Sequence, residues 1–151
     1  LLKQTDIFKS VISKLNTLKL TIYTDEVAEN YKTPCLFVKL IKVFSAQTKN
    51  VNSNNLTIIV TYMFSKYESQ QIQKLNFEDN IIDLFGHGLQ INDRFLHTDN
   101  ISYDMIGEDN DILQATIDIT YIDSNDYDNN YDYDNNTEYE LANKVNVKMD
   151  Y

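Results

Sequence analysis

Apolar residues fall at helical spacing near the start of the chain. Phe8, Val11, Ile12, Leu15 and Leu18 occupy positions i, i+3, i+4, i+7 and i+10, which places them in one stripe of an amphipathic helix. Thr5 is positioned to cap that helix, its hydroxyl accepting from an unpaired N–H of the first turn, and Asp6 suits the positive helix end. Leu20-Thr21-Ile22-Tyr23 then gives a short strand signal, followed by a polar stretch from Thr24 to Thr33. Pro34 closes that loop and biases Thr33 toward an extended conformation. From Cys35 to Phe44 the chain is apolar on both faces apart from Lys39 and Lys42, the pattern of a strand near the middle of a sheet.

The stretch from Ala46 to Asn55 has no large apolar residue except Val51 and reads as a loop. Leu56, Ile58, Val60, Tyr62 and Phe64 then alternate with Thr57, Ile59, Thr61, Met63 and Ser65, a long strand rich in β-branched and aromatic residues. A second helix is expected from Asn76, a capping residue with Asp79 three positions on. Phe77, Ile81, Leu84 and Phe85 form its apolar stripe, and Gly86 or Gly88 stops it. Phe95 to Ile106 and Ile112 to Ile122 read as a hairpin joined by Gly107-Glu108-Asp109-Asn110-Asp111. In its second strand Ile117, Ile119 and Tyr121 face one way, and Asp118 and Thr120 the other, giving one buried and one wet face. The expected fold is a single α+β domain: an antiparallel or mixed β-sheet of about five to six strands packed with two main helices. Its core spans residues 1–122.

The pattern changes at Asp123. Residues 123–140 hold seven acids, four tyrosines and five asparagines, with no Lys or Arg. With no aliphatic anchor, the stretch reads as an acidic loop or excursion whose strip is Asp123, Asp126, Asp128, Asp132 and Asp134. Residues 141–151 complete the same domain: Val145, Val147 and Met149 alternate with Asn146 and Lys148, a candidate last strand or arm.

The length of 151 residues fits one domain. The net charge of -10 opposes non-specific nucleic-acid binding, which needs a basic footprint. That acidity is local, because the chain outside 123–140 carries sixteen acids against thirteen bases. No apolar run approaches a bilayer span, and no export signal is visible. With the single cysteine, Cys35, this points to synthesis in the cytoplasm of a cell.

Candidate chemistry adds little. His87, His97 and Cys35 lack zinc-ligand spacing. A calcium loop begun at Asp128 fails at Tyr133, where glycine is needed, and at Tyr139, where glutamate is needed. Gly86-His87-Gly88 is not a phosphate-binding loop. Cys35 with His97 is the one conceivable nucleophile pair, but an apolar strand favours an inert thiol. The residues point to no enzyme, no cofactor and no metal.

The segment from Ile22 to Leu40 is more informative. It carries Tyr23, Glu26 and Val27 at a strand end, a short polar loop, and then Pro34-Cys35-Leu36-Phe37-Val38. With the helix before it and the strand ending Tyr62-Met63-Phe64 after it, this resembles the tail terminator (tail completion) proteins of tailed phages and phage-tail-like, bacteriocin-like particles, chiefly contractile ones. The resemblance implies a structural protein that forms a homo-hexameric ring at the head-proximal end of the tail. Its partners would be itself, the tail tube protein, the tail sheath protein and a neck or collar protein, with no membrane and no sequence-specific nucleic acid. Alternatives are a neck or head-completion adaptor of the same particle and, more distantly, an acidic DNA-mimic inhibitor. Mimics spread acid over the whole surface, whereas here it is confined to one stretch.

Overall fold

The first helix, α1 (Gln4–Leu15), buries Ile7, Val11 and Leu15, residues spaced by four, with Phe8, Ile12 and Leu18 flanking them against the core. The buried stripe thus takes in Ile7, which the expected stripe of Phe8, Val11, Ile12, Leu15 and Leu18 leaves out, and is rotated by part of a turn. Thr5 does not cap the helix. Lys3 stands at the cap position without a side-chain bond, and its carbonyl accepts from the Asp6 and Ile7 N–H groups. Asp6 does lie in the first turn. A 3₁₀ turn at Asn16–Leu18 ends the helix, followed by Lys19 at φ 58°.

This description comes from a computed structural model and covers residues 1–25 and 30–124. Strands β1 (Thr21–Tyr23), β2 (Cys35–Ala46), β3 (Val51–Met63), β6 (Asn100–Ile106) and β7 (Ile112–Ser124) form one mixed sheet in the order β1-β2-β3-β7-β6. Only the β1–β2 pairing is parallel. The rung Val38–Val60–Ala115–Tyr103 marks the covered face. Along it Leu36, Leu56, Ile58, Leu113, Ile117 and Ile119 are all buried, each such side chain contributing about 1.5–3 kcal/mol of transfer free energy. The alternation expected for Ile117 to Tyr121 is the one found.

Three expectations give way. The loop expected over Ala46 to Asn55 is largely strand, because β3 begins at Val51 and only Gln47 to Asn50 turn. Asn52 and Asn54 occupy buried positions there, and the Asn54 Nδ2 donates to the Asn52 Oδ1 at 2.9 Å. Side-chain amides on a strand's inner face carry no hydrophobic period, so the pattern concealed them. Helix α2 (Gln70–Phe85) starts at Ser69, whose hydroxyl accepts from the Ile72 N–H, and Asn76 lies inside it. Its buried side is Gln73, Phe77, Ile81 and Phe85. Finally, the strand expected from Phe95 to Ile106 is two. β5 (Arg94–His97) folds back on β4 (Gly88–Ile91) as a separate hairpin turning at Asn92, and the chain bends at Thr98 and Asp99 into β6. Gly88 (φ +152°) opens this hairpin, since a Cβ there would lie 2.1 Å from the Leu96 carbonyl oxygen.

Two polar side chains join the layers over the covered face. Lys14 reaches from α1 to the Leu84 carbonyl at the C-terminal end of α2 and to the Gly88 carbonyl at the start of β4, with its ammonium 5.6 Å from the Phe85 ring centroid. A cation there complements the helix dipole, while burial lowers its pKa. Tyr103 donates from β6 to the Glu78 carbonyl of α2 at 2.9 Å. Burial, with Glu78 and Asp79 nearby, pushes its hydroxyl up to about 12, so it stays a donor.

Candidate functional site

The motif residues gather where β1 ends. Tyr23 stacks on Phe37 with ring centroids 5.2 Å apart, and Tyr31 meets Phe37 edge-on at 5.6 Å. The Lys32 N–H donates to the Tyr23 hydroxyl at 3.1 Å, which ties the returning loop to β1. Pro34, half-buried after a cis peptide bond, admits the chain to β2. Val38 faces the core. Tyr23, Pro34, Phe37 and Val38 therefore form one packed corner, while Glu26 and Val27 lie outside the described residues.

Beyond this corner the fold exposes an edge. β1 pairs only with Cys35, Leu36 and Phe37. From Val38 to Ala46, β2 has no strand on its outer side among the described residues. The stretch that looked central is a sheet edge, and its apolar residues are not all covered: Val43 and Phe44 are 57% and 59% exposed, and Ile41 is exposed as well. A cleft of about 790 Å³ runs beside this edge. Phe8 and Lys9 of α1 line one wall, Val38 and Leu40 line the other, and Thr24 and Asp25 stand where β1 leaves off. Exposed backbone donors and acceptors beside an apolar cleft are the features that accept an added strand. A second exposed apolar surface is the outer side of α2, where Ile72, Leu75 and Ile82 recur at helical spacing.

Asp123 is not a solvent-facing member of an acidic strip. It lies within β7 and is buried, accepting from the Leu2 N–H at 2.7 Å and from the Arg94 guanidinium at 3.0 Å. Burial alone would raise its pKa; the Leu2 hydrogen bond, the Leu1 ammonium and the Arg94 charge together outweigh it and hold the carboxyl below its usual range. Arg94 also sits 5.7 Å from the Tyr121 ring centroid. Beside this cluster the Asn54 Oδ1 and the Tyr121 hydroxyl are buried without a hydrogen-bond partner among the described residues. Asp126, Asp128, Asp132, Asp134 and the candidate arm residues Val145, Val147 and Met149 lie outside the described residues.

The conceivable catalytic groups are not assembled. Cys35 is buried in the main sheet, where burial raises its pKa and disfavours the thiolate. His97 stands exposed on the small hairpin against Phe95, and His87 is exposed before β4. Among the described residues no three His, Cys, Asp or Glu side chains are grouped to hold a metal ion. No helix among them is long and apolar enough to cross a membrane.

Comparison with known families decides what this scaffold is. The family model described as phage tail terminator protein matches residues 6–131, from α1 through the whole sheet and past it. The chain belongs to the phage tail terminator family. No curated protein matches it. As a tail terminator the protein is a component of a phage tail with a structural, non-catalytic role, and its family implies contact with tail tube protein. The exposed β2 edge escaped the sequence because apolar residues on both faces look alike in a central strand and in an edge awaiting a partner. Gln73 also escaped, because a buried amide carries no hydrophobic signal.

Proposed function

We propose that six copies of this terminator form a ring on the head-proximal end of a contractile tail tube, stop polymerisation of tube and sheath, and hold the sheath and a neck or collar protein. Membership of the family carries the reading. Growth by stacked rings ends when a ring binds the last face and presents one that cannot template another. A cyclic assembly needs two unlike, complementary patches on each subunit. The β2 edge with Ile41, Val43 and Phe44, and the outer side of α2 with Ile72, Leu75 and Ile82, are two such unlike surfaces, which supports a closed head-to-tail ring.

In this reading the arm with Val145, Val147 and Met149 donates a strand to a neighbouring subunit or accepts the sheath. The acidic stretch lies on the outer wall. Directed inward, its sixteen residues after β7, 125–140, would obstruct a narrow channel, and their charge would repel DNA phosphate. Such a ring serves an infectious phage or a headless, bacteriocin-like particle equally. The test adds purified protein to polymerising tube protein and views the products by negative-stain electron microscopy. Short tubes with a ring at one end support the proposal, and tubes of unrestricted length contradict it. Removing residues 143–151 should leave the fold intact and abolish ring docking; docking at the wild-type level would remove the arm from the mechanism.

A further inference from the structure

The edge left by β1 and the sequence beyond β7 fit one another. β2 offers nine residues, Val38 to Ala46, with no strand on their outer side among the described residues, and a cleft whose apolar lining includes Phe8, Phe37, Val38, Leu40 and Ile59. A bare edge of that length promotes indiscriminate association unless something blunts it. After Ser124, 27 residues follow. Among them residues 144–149 alternate aliphatic or Met with polar residues as a strand does: Val145, Val147 and Met149 on one side, Lys144, Asn146 and Lys148 on the other.

We propose that in the unassembled protein residues 144–149 pair as an antiparallel strand with the free edge of β2 in the same chain. Topology sets the direction. Ala46 pairs with Asn52, and Asn52 with Asp123, so β7 ends at the same end of the sheet as β2. A segment entering beside Ala46 must run back toward Val38, which is antiparallel to β2 and gives the stronger ladder. Val145, Val147 and Met149 would then continue the covered face over Leu40 and Phe8, and the polar positions would join Lys39, Ile41 and Val43 on the other face.

Reach favours the same chain over a second copy. From β7 to the slot outside β2 is three strand spacings, about 14 Å. Residues 125–143 supply 19 linking residues, whose mean extent as a coil is roughly 24 Å. A match of that order gives a local concentration in the millimolar range, far above that of free copies. On this path the six acids of the linker (Asp126, Asp128, Asp132, Asp134, Glu138 and Glu140) would pass the edge that carries Lys39 and Lys42, with Lys9 across the cleft. In a ring, exchange of this strand between neighbours would conserve the same pairing. That step rests on the proposed function; the pairing within one chain does not.

The test is amide hydrogen exchange by mass spectrometry on the full chain and on a chain ending at Asn143, each at low concentration. The outward amides of Val38 to Ala46 should exchange about tenfold or more faster in the shorter chain, with β3 and β7 unchanged. Full-length Val147→Asp should behave like the truncation, and Asn146→Asp like wild type, which keeps the test valid if the shorter chain does not fold. Protection in the full chain should be independent of concentration. Equal exchange along β2 in all variants would overturn the proposal. Protection that rises with concentration alongside a larger species would overturn it too, assigning the edge to a second copy. Neither result bears on tail termination, which is read from tube length.

Discussion

Asp123 joins three parts of the chain with one carboxylate: the backbone at Leu2, Arg94 of the small hairpin, and its own strand β7. Removing its charge leaves the Arg94 guanidinium and the Leu2 N–H with weaker partners in a buried setting. Asp123→Asn should therefore destabilise the fold by about 1–3 kcal/mol at neutral pH, read as a lower Tm. The pH dependence follows from a carboxyl held below its usual range. Its contribution is complete above the unfolded carboxylate pKa, about 3.9, and is lost as pH falls through the lower folded value. The Tm gap between wild type and variant should be widest near neutrality and close in strong acid. A gap that stays constant with pH would mean that the pairing is not electrostatic. None of this was legible from the sequence, where Asp123 opens a run of acids. Only tertiary neighbours 29 and 121 residues away distinguish it from the rest.

At the scale of elements, the sequence shows the periodic centres and loses the polar ends. α1, the alternating part of β3, and the β6–β7 hairpin follow from apolar spacing. The first turns of α2 do not, because Gln70-Gln71-Ile72-Gln73-Lys74 reads as polar although Gln73 is buried. The Gln73 Oε1 accepts from the Tyr62 hydroxyl and from the Ser65 N–H, both at 2.8 Å. Its Nε2 donates to the Ser65 and Glu68 carbonyls at 3.0 and 3.1 Å. With all its hydrogen bonds made inside the protein, this amide fixes the crossing from β3 into α2 without a hydrophobic signal. Gln73→Leu preserves size but strands these groups, and should cost about 2–4 kcal/mol in denaturant unfolding. Exposed Gln71→Leu should change stability by less than about 0.5 kcal/mol. Equal effects at the two positions would refute the bracing role.

Across the whole molecule, the α+β class and the mixed sheet were legible, whereas strand order was not. Order decides that on its outer side β2 is paired at its first three residues, and that no strand lies outside the rest among the described residues. The apolar run was visible; that it lies at an edge is a long-range property no local pattern encodes. The motif at Tyr23, Pro34, Phe37 and Val38 indicated the family correctly. Structurally it is the packed corner from which that edge begins. The central claim concerns length control, and the most direct measurement is the tail-length distribution by electron microscopy in a strain lacking this gene. The account predicts overlong or irregular tubes, restored to uniform length by the wild-type gene. Tails of normal, uniform length in the deletion strain would contradict it.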